Sequence, residues 1–124
     1  MVNKQDFINA INSNIEMVRG DTLAFNFQLT GLGSRDAYED LIVTFAVAEH
    51  YDDESIIESN NEDGIALEDY DAAKDEAIFS VYVAPNKTKT LDLARYYYDL
   101  QIKDDTNVIT LMRGRLTLVY DVAD

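Results

Sequence analysis

The 124-residue chain has no cysteine and no tryptophan, and it has a single histidine, His50. Without cysteine it can form no disulfide, no thiolate metal site and no thiol nucleophile. One imidazole without cysteine cannot build a histidine-rich zinc site, and it argues against a histidine-based catalytic triad. We therefore predict that the chain is not an enzyme and carries no cofactor and no catalytic metal.

The common ligand-binding motifs are also incomplete. Gly31-x-Gly33 lacks the third glycine of a phosphate loop, and we expect no helix after it. The segment 59–70 has Gly64 where an EF-hand has its glycine, but its first and twelfth residues are a serine and a tyrosine instead of Asp and Glu. Calcium binding of another kind stays open for some of the acids Asp52, Asp53, Glu62 and Asp63.

Acidic residues outnumber basic ones by 24 to 10, which gives a net charge of −14. Phosphate backbones and anionic membrane surfaces repel such a chain over a Debye length of about 8–10 Å. No apolar run is long enough to span a bilayer, and the first residues lack the apolar core of a signal peptide. We predict no nucleic-acid partner, no membrane partner and no export signal.

The acids are concentrated between Asp52 and Glu76, where eleven acidic residues accompany one base, Lys74. Such a run is typical of a solvated loop and edge region kept soluble by charge. The alternative is an acidic docking surface for a basic partner or a cation. The candidate residues of that surface are Asp52, Asp53, Glu54, Glu62 and Asp63.

Alternating apolar and polar residues predict an all-β protein. The main strands are expected at 22–30, 41–49, 77–83, 95–103 and 108–121, and shorter ones at 15–19, 55–58 and 65–67. The last two main strands flank a four-residue polar turn, which indicates a β-hairpin. We further expect a loop at 31–36, a polar excursion at 69–75 and a bulge or bend at Gly114. About seven strands without a long helix predict an antiparallel two-sheet sandwich.

The strand predicted at 95–103 also indicates the kind of sandwich. Tyr96, Tyr98, Leu100 and Ile102 share one face, which we expect to be buried. Asp92-x-Ala94-x-Tyr96 matches the spacing at the start of strand F in immunoglobulin variable domains, where the tyrosine hydroxyl makes a corner hydrogen bond. Tyr96 is then the corner tyrosine and Tyr98 stands at the cysteine position. This resemblance implies an immunoglobulin-like arrangement at most, and it gives no membership of the antibody family.

The N-terminal residues 1–14 are predicted to form an arm or a short helix before a single sandwich domain at 15–124. Phe7, Ile8 and Ile11 form an apolar stripe at helical spacing. An isolated helix of this length is marginal, so the stripe must pack on its own domain or on a neighbour. Both a cap on one end of the sandwich and a contact arm remain open.

Three segments carry a resemblance to a known group of proteins: 15–25 with Arg19-Gly20-Asp21-Thr22, 96–102 with Tyr-x-Tyr-Asp-Leu, and 110–118 with Gly-x-Leu. Together they resemble a recurring small protein of tailed bacteriophages. They are also similar to the immunoglobulin-like, virion-anchoring N-terminal domain of phage baseplate upper proteins.

This resemblance implies a non-enzymatic virion structural protein of the head, neck or tail and baseplate. Such a protein would reside in the virion and assemble in multiple copies with other virion proteins and with itself. It implies no catalytic residues. The alternative is an extracellular carbohydrate- or protein-binding β-sandwich module of bacterial origin. For that class, Tyr51, Tyr70 and Tyr97 are the tyrosines expected to be exposed, and we expect them to be too scattered for a sugar-binding platform.

Overall fold

A computed structural model describes residues 11–12 and 14–120 of the chain, which form two β-sheets and little helix. The described elements are β1 (Ile11–Asn12), β2 (Ile15–Val18), β3 (Leu23–Thr30), α1 (Arg35–Glu39), β4 (Ile42–Ala48), β5 (Ile57–Asn60), β6 (Ile65–Asp71), β7 (Glu76–Val83), a 3₁₀ turn (Pro85–Lys87), β8 (Arg95–Lys103) and β9 (Val108–Val119). The prediction of an all-β protein with two sheets is confirmed. The described part has nine strands where about seven were predicted.

The large sheet has the order β1-β9-β8-β4-β5, with β2 also paired to β9, and the small sheet has the order β3-β7-β6. Neighbouring strands are antiparallel except that β1 and β2 run parallel to β9. The two sheets enclose one apolar core. The ring of Phe25 in β3 meets that of Phe45 in β4 edge-on at 5.6 Å, and Ser59 Oγ in β5 donates to the Tyr82 carbonyl oxygen in β7 at 3.0 Å.

The predicted burial of one face of β8 is confirmed. Tyr98, Leu100 and Ile102 are each at most 1% exposed, whereas Asp99 and Gln101 lie on the opposite, outer face. The predicted corner hydrogen bond is also present, since the Tyr96 hydroxyl donates to the Asp92 carbonyl oxygen at 2.9 Å. This bond fixes the chain where it enters β8 after a crossing segment.

The loop expected at 31–36 is confirmed only for residues 31–34, and the expectation of no helix after Gly33 is wrong. Ser34 begins the one-turn helix α1, because its side chain accepts a hydrogen bond from the Ala37 amide at 3.2 Å. The fully buried Tyr38 holds the helix, since its hydroxyl donates to the Asp75 carbonyl oxygen at 3.0 Å and accepts from the Leu32 amide at 3.1 Å. A contact so distant in sequence stabilises a helix too short to form alone.

Of the bulge or bend predicted at Gly114, the bulge is wrong. Gly114 pairs in register with Tyr98, and the register shifts instead between Leu100 and Gln101, where Leu111 is the extra residue of β9. The position of the bulge therefore depends on packing between strands.

The polar excursion predicted at 69–75 is wrong for its first part, because β6 continues to Asp71. β6 lies at an edge of the small sheet, so its acidic side chains stay in solvent while its backbone pairs with β7. A tight turn joins β5 to β6, with reciprocal backbone hydrogen bonds between Asn60 and Asp63, and Gly64 has a φ of 98°. An added side chain there would collide with the Tyr82 carbonyl oxygen.

The N-terminal strands join the edge of the large sheet. Ile11 pairs with Met112, and the pairing of β2 extends from Ile15 opposite Leu116 to Val18 opposite Val119. Between the two strands, the Asn14 side chain accepts a hydrogen bond from the Arg115 amide at 3.1 Å. Phe7, Ile8 and the side chain of Ile11 lie outside the described residues, so the contact arm stays a prediction.

Candidate functional site

A small open pocket lies on the outer face of the large sheet, where the loop joining β4 to β5 folds back over the sheet. Its volume is about 70 Å³. We call it the outer pocket, and its lining includes Ala46 and Ala48 of β4, Tyr97 and Asp99 of β8, and Tyr51, Asp53 and Ser55 of the loop.

The hollow follows from the alternation of β4. Phe45 and Val47 point into the core, so Ala46 and Ala48 point outward. Ala46 is opposite Asp99 in the strand pairing, and Ala48 is opposite Tyr97. Two methyl groups therefore form the floor beside two larger side chains.

Tyr51 holds the loop against the sheet. Its ring centroid lies 4.4 Å from that of Tyr97, and the guanidinium carbon of Arg113 lies 4.7 Å from the Tyr51 ring centroid. The Tyr51 hydroxyl donates a long hydrogen bond of 3.4 Å to the Gly114 carbonyl oxygen. His50, the neighbouring residue, lies farther away, with its ring centroid 6.5 Å from that of Tyr97.

Asp99 is a half-buried carboxylate at the edge of this pocket. Its cross-strand neighbour is Arg113, but the Arg113 guanidinium lies against Tyr51, and the described residues offer Asp99 no hydrogen bond or ion pair. Burial raises the pKa of the Asp99 carboxyl above its ordinary 3.8, and the positive charge of Arg113 opposes that rise. The carboxylate is thus partly dehydrated, and the charge of Arg113 compensates for that burial only in part.

The candidate acidic surface is divided between two loops. Asp52, Asp53 and Glu54 lie in the β4–β5 loop, and Glu62 and Asp63 lie in the β5–β6 turn. These loops are at opposite ends of the β4–β5 pair, because the register extends from Val47 opposite Ile57 to Thr44 opposite Asn60.

Only the first of these loops reaches the outer pocket, through Asp53. In the second, Asp63 already accepts a hydrogen bond from Lys87 Nζ at 2.9 Å. Within residues 11–12 and 14–120, no group of three or more His, Asp or Glu side chains is placed to hold a metal ion. The structure therefore offers no described cation site for the four acids considered as calcium ligands.

Of the three tyrosines expected to be exposed and scattered, Tyr51 is exposed and Tyr70 and Tyr97 are half-buried, and two of the three are not scattered. Tyr51 and Tyr97 are in ring contact at the outer pocket. Tyr70 lies elsewhere, with its ring centroid 5.5 Å from that of the buried Tyr38. Sequence spacing gave no sign of the Tyr51–Tyr97 pair, because a strand register and a folded loop bring them together.

The edge strand β3 is a second surface of interest. From Leu23 to Thr30 it contains no charged residue, no proline and no glycine. β7 pairs with one side of it, and no described strand pairs with the other. Its inward side chains Leu23, Phe25 and Phe27 are only half-buried, whereas the inward residues of β7, namely Phe79, Val81 and Val83, are 1% exposed.

The opposite edge of the small sheet is built differently. β6 has a register shift between Leu67 and Asp69, and it carries the acids Glu68, Asp69 and Asp71. A bulge and charges are the usual devices that stop an edge strand from pairing with another chain. β3 has neither device, so it is the edge that could accept a further strand.

Scans against models of known protein families and against curated proteins both found no match. Among the described residues, no helix has the length and apolar character needed to cross a membrane.

Proposed function

We propose that this chain is an immunoglobulin-like, non-enzymatic structural protein of a tailed-bacteriophage particle, in its head, neck or tail and baseplate. It resides in the virion and acts in multiple copies by binding other virion proteins and copies of itself. Nucleic acid and membranes are not among its partners. Two kinds of observation support this role. Three sequence segments resemble phage proteins, and the fold has two sheets with one open edge.

Two features support the immunoglobulin-like part of the proposal. The sheet order β2-β9-β8-β4-β5 facing β3-β7-β6 corresponds to strands A′-G-F-C-C′ facing B-E-D of that fold. The hydrogen bond from the Tyr96 hydroxyl to the Asp92 carbonyl oxygen stands at the start of the strand that corresponds to F.

The open edge of β3 is the main structural support for a role in assembly. An uncharged eight-residue edge with half-buried apolar side chains is suited to strand addition, because a further strand would satisfy its backbone groups and cover those side chains. The net charge of −14 opposes association of copies elsewhere on the surface, but this strand contributes nothing to that repulsion.

The test places a lysine on the outer face of the edge. Asn26 is exposed near the middle of β3, so Asn26→Lys adds a charge without entering the core. The matched control is Ala66→Lys, which adds the same charge to the outer face of β6. Light scattering over a concentration series measures self-association, and thermal unfolding verifies that both variants fold.

We expect the unchanged protein and Ala66→Lys to associate with rising concentration, more strongly in salt because like-charge repulsion is screened. Asn26→Lys should remain monomeric at the same unfolding temperature. Equal association of both variants contradicts the role of the edge. For the virion assignment itself, mass spectrometry of purified particles should find the protein at a fixed copy number, and its absence from particles contradicts the assignment.

The outer pocket favours a second candidate, the protein-binding form of the alternative module. Its volume of about 70 Å³ is well below the ~300 Å³ at which pockets begin to enclose small-molecule ligands. It therefore suits a protein side chain better than a sugar ring. Binding of simple sugars at millimolar concentration, observed by amide chemical shifts at Tyr97, would favour the carbohydrate-binding form instead.

A further inference from the structure

We propose that the outer pocket binds the guanidinium group of an arginine side chain presented by a partner protein. This inference rests on the pocket alone and does not depend on the virion role.

The size of the pocket selects a small group. Its floor is made by the methyl groups of Ala46 and Ala48, and the Tyr97 ring stands beside it. The volume of about 70 Å³ is far below the ~300 Å³ at which pockets begin to enclose small-molecule ligands. Such a hollow receives the end of a side chain, whereas a nucleotide or a sugar would remain largely outside.

The polar lining selects a cation with several donors. The carboxylates of Asp99 and Asp53 and the hydroxyl of Ser55 all supply acceptor oxygens around the hollow. Asp99 has no ion pair or hydrogen bond within the described residues, so it can accept from a ligand without breaking an existing contact. The net charge of −14 also draws cations toward the protein.

Guanidinium fits this lining better than ammonium. It is planar, can donate two parallel hydrogen bonds to one carboxylate and packs on aromatic rings. At the rim of the pocket, the Arg113 guanidinium already lies over the Tyr51 ring. That contact keeps Arg113 beside Tyr51 and leaves the Asp99 side of the hollow to the incoming group.

The probe for the experiment is N-acetyl-arginine amide, titrated into the ¹⁵N-labelled full chain at neutral pH and followed by amide chemical shifts. The neutral isostere N-acetyl-citrulline amide and the cation N-acetyl-lysine amide are titrated in parallel. We expect saturable shifts at Ala46, Tyr97 and Asp99 with the arginine probe, weaker ones with lysine and none with citrulline.

Two variants locate the binding. Asp99→Asn should weaken arginine binding about fivefold or more, since it removes the charged acceptor but preserves the shape. Asp105→Asn is the control, because it removes the same charge from the exposed β8–β9 turn and should leave the affinity unchanged. Ala46→Leu, which fills the floor, should abolish the shifts, and its unfolding temperature verifies that the outward-facing change leaves the fold intact.

Equal shifts with arginine and citrulline would overturn the proposal, as would unaltered affinity in Asp99→Asn or Ala46→Leu. Equal binding of lysine and arginine would overturn the choice of guanidinium. Shifts confined to the acidic turn at Glu62 and Asp63 would show general attraction of cations to an acidic protein and would also count against the pocket.

Discussion

Replacing Tyr38 with phenylalanine removes one oxygen atom from a side chain that is fully buried. That oxygen accepts from the Leu32 amide and donates to Asp75, whose carbonyl oxygen and Oδ1 both lie 3.0 Å away. The Asp75 carboxylate in turn accepts from the Gly33 amide, with its two oxygens at 2.9 and 3.0 Å. The hydroxyl thus connects the 31–40 segment to the turn between β6 and β7.

The expected loss is about 1–3 kcal/mol, because the Leu32 amide loses its acceptor in a partly buried position. An unfolding entropy of about 2.1 cal/mol/K per residue gives roughly 0.26 kcal/mol/K for 124 residues, so the melting temperature should fall by ~4–12 °C. Differential scanning calorimetry measures this shift. The control is Tyr82→Phe, the same chemical change at a side chain that is 47% exposed, and it should have little effect.

The pH dependence of stability gives an independent test of the burial of the Tyr38 hydroxyl. Burial raises the pKa of Tyr38 above its ordinary 10.0, so the folded protein holds this proton more tightly than the unfolded chain does. The contribution to stability is complete below pH 10.0 and is lost as the pH rises through the folded-state pKa. The stability difference between the protein and Tyr38→Phe should therefore shrink above that pH. Equal effects of Tyr38→Phe and Tyr82→Phe at neutral pH would refute the reasoning.

Three further changes test other parts of the fold. Tyr96→Phe should lower the free energy of unfolding by about 1 kcal/mol in urea titration, because it deletes the corner hydrogen bond. Gly64→Ala should destabilise the protein far more than Gly20→Ala in thermal unfolding. φ is positive at both glycines, but an added Cβ collides with the Tyr82 carbonyl oxygen at Gly64 and meets open space at Gly20. Asp99→Asn should leave the melting temperature at pH 7 unchanged or raise it, because burial disfavours the charged carboxylate; a clear decrease would show that Asp99 is structural.

The long strands could be predicted because local alternation determines them. In β8 a period of two separates Tyr98 from Asp99 so clearly that both the bounds and the buried face follow from sequence. α1 could not be predicted, because it depends on the hydrogen bond from Tyr38 to Asp75, which lies far along the chain in the turn between β6 and β7. Its single turn leaves too little periodicity to detect.

The outer pocket could not be predicted for the same physical reason. Ala46 and Asp99 face each other only through the register of β4 and β8, and Tyr51 reaches Tyr97 only when the following loop folds over that pair. The high density of acids marks the loop containing Asp53 as a candidate surface. It does not reveal that Asp53 lines the pocket while Glu62 lies in another loop. The residue that the composition missed, Asp99, is in a strand whose alternation marks it only as outward-facing.

The parallel pairing of β1 and β2 with β9 determines how the domain responds to tension. Ile11 pairs with Met112 and Val18 pairs with Val119, so the chain enters β1 and leaves β9 at opposite ends of one seam. Pulling on both ends slides these strands past each other and loads all their hydrogen bonds at once, whereas an antiparallel hairpin pulled at its ends opens one bond at a time. The amide of Arg115, bound by the Asn14 side chain, adds a further bond to the seam. The domain is therefore arranged to resist force applied along its own chain.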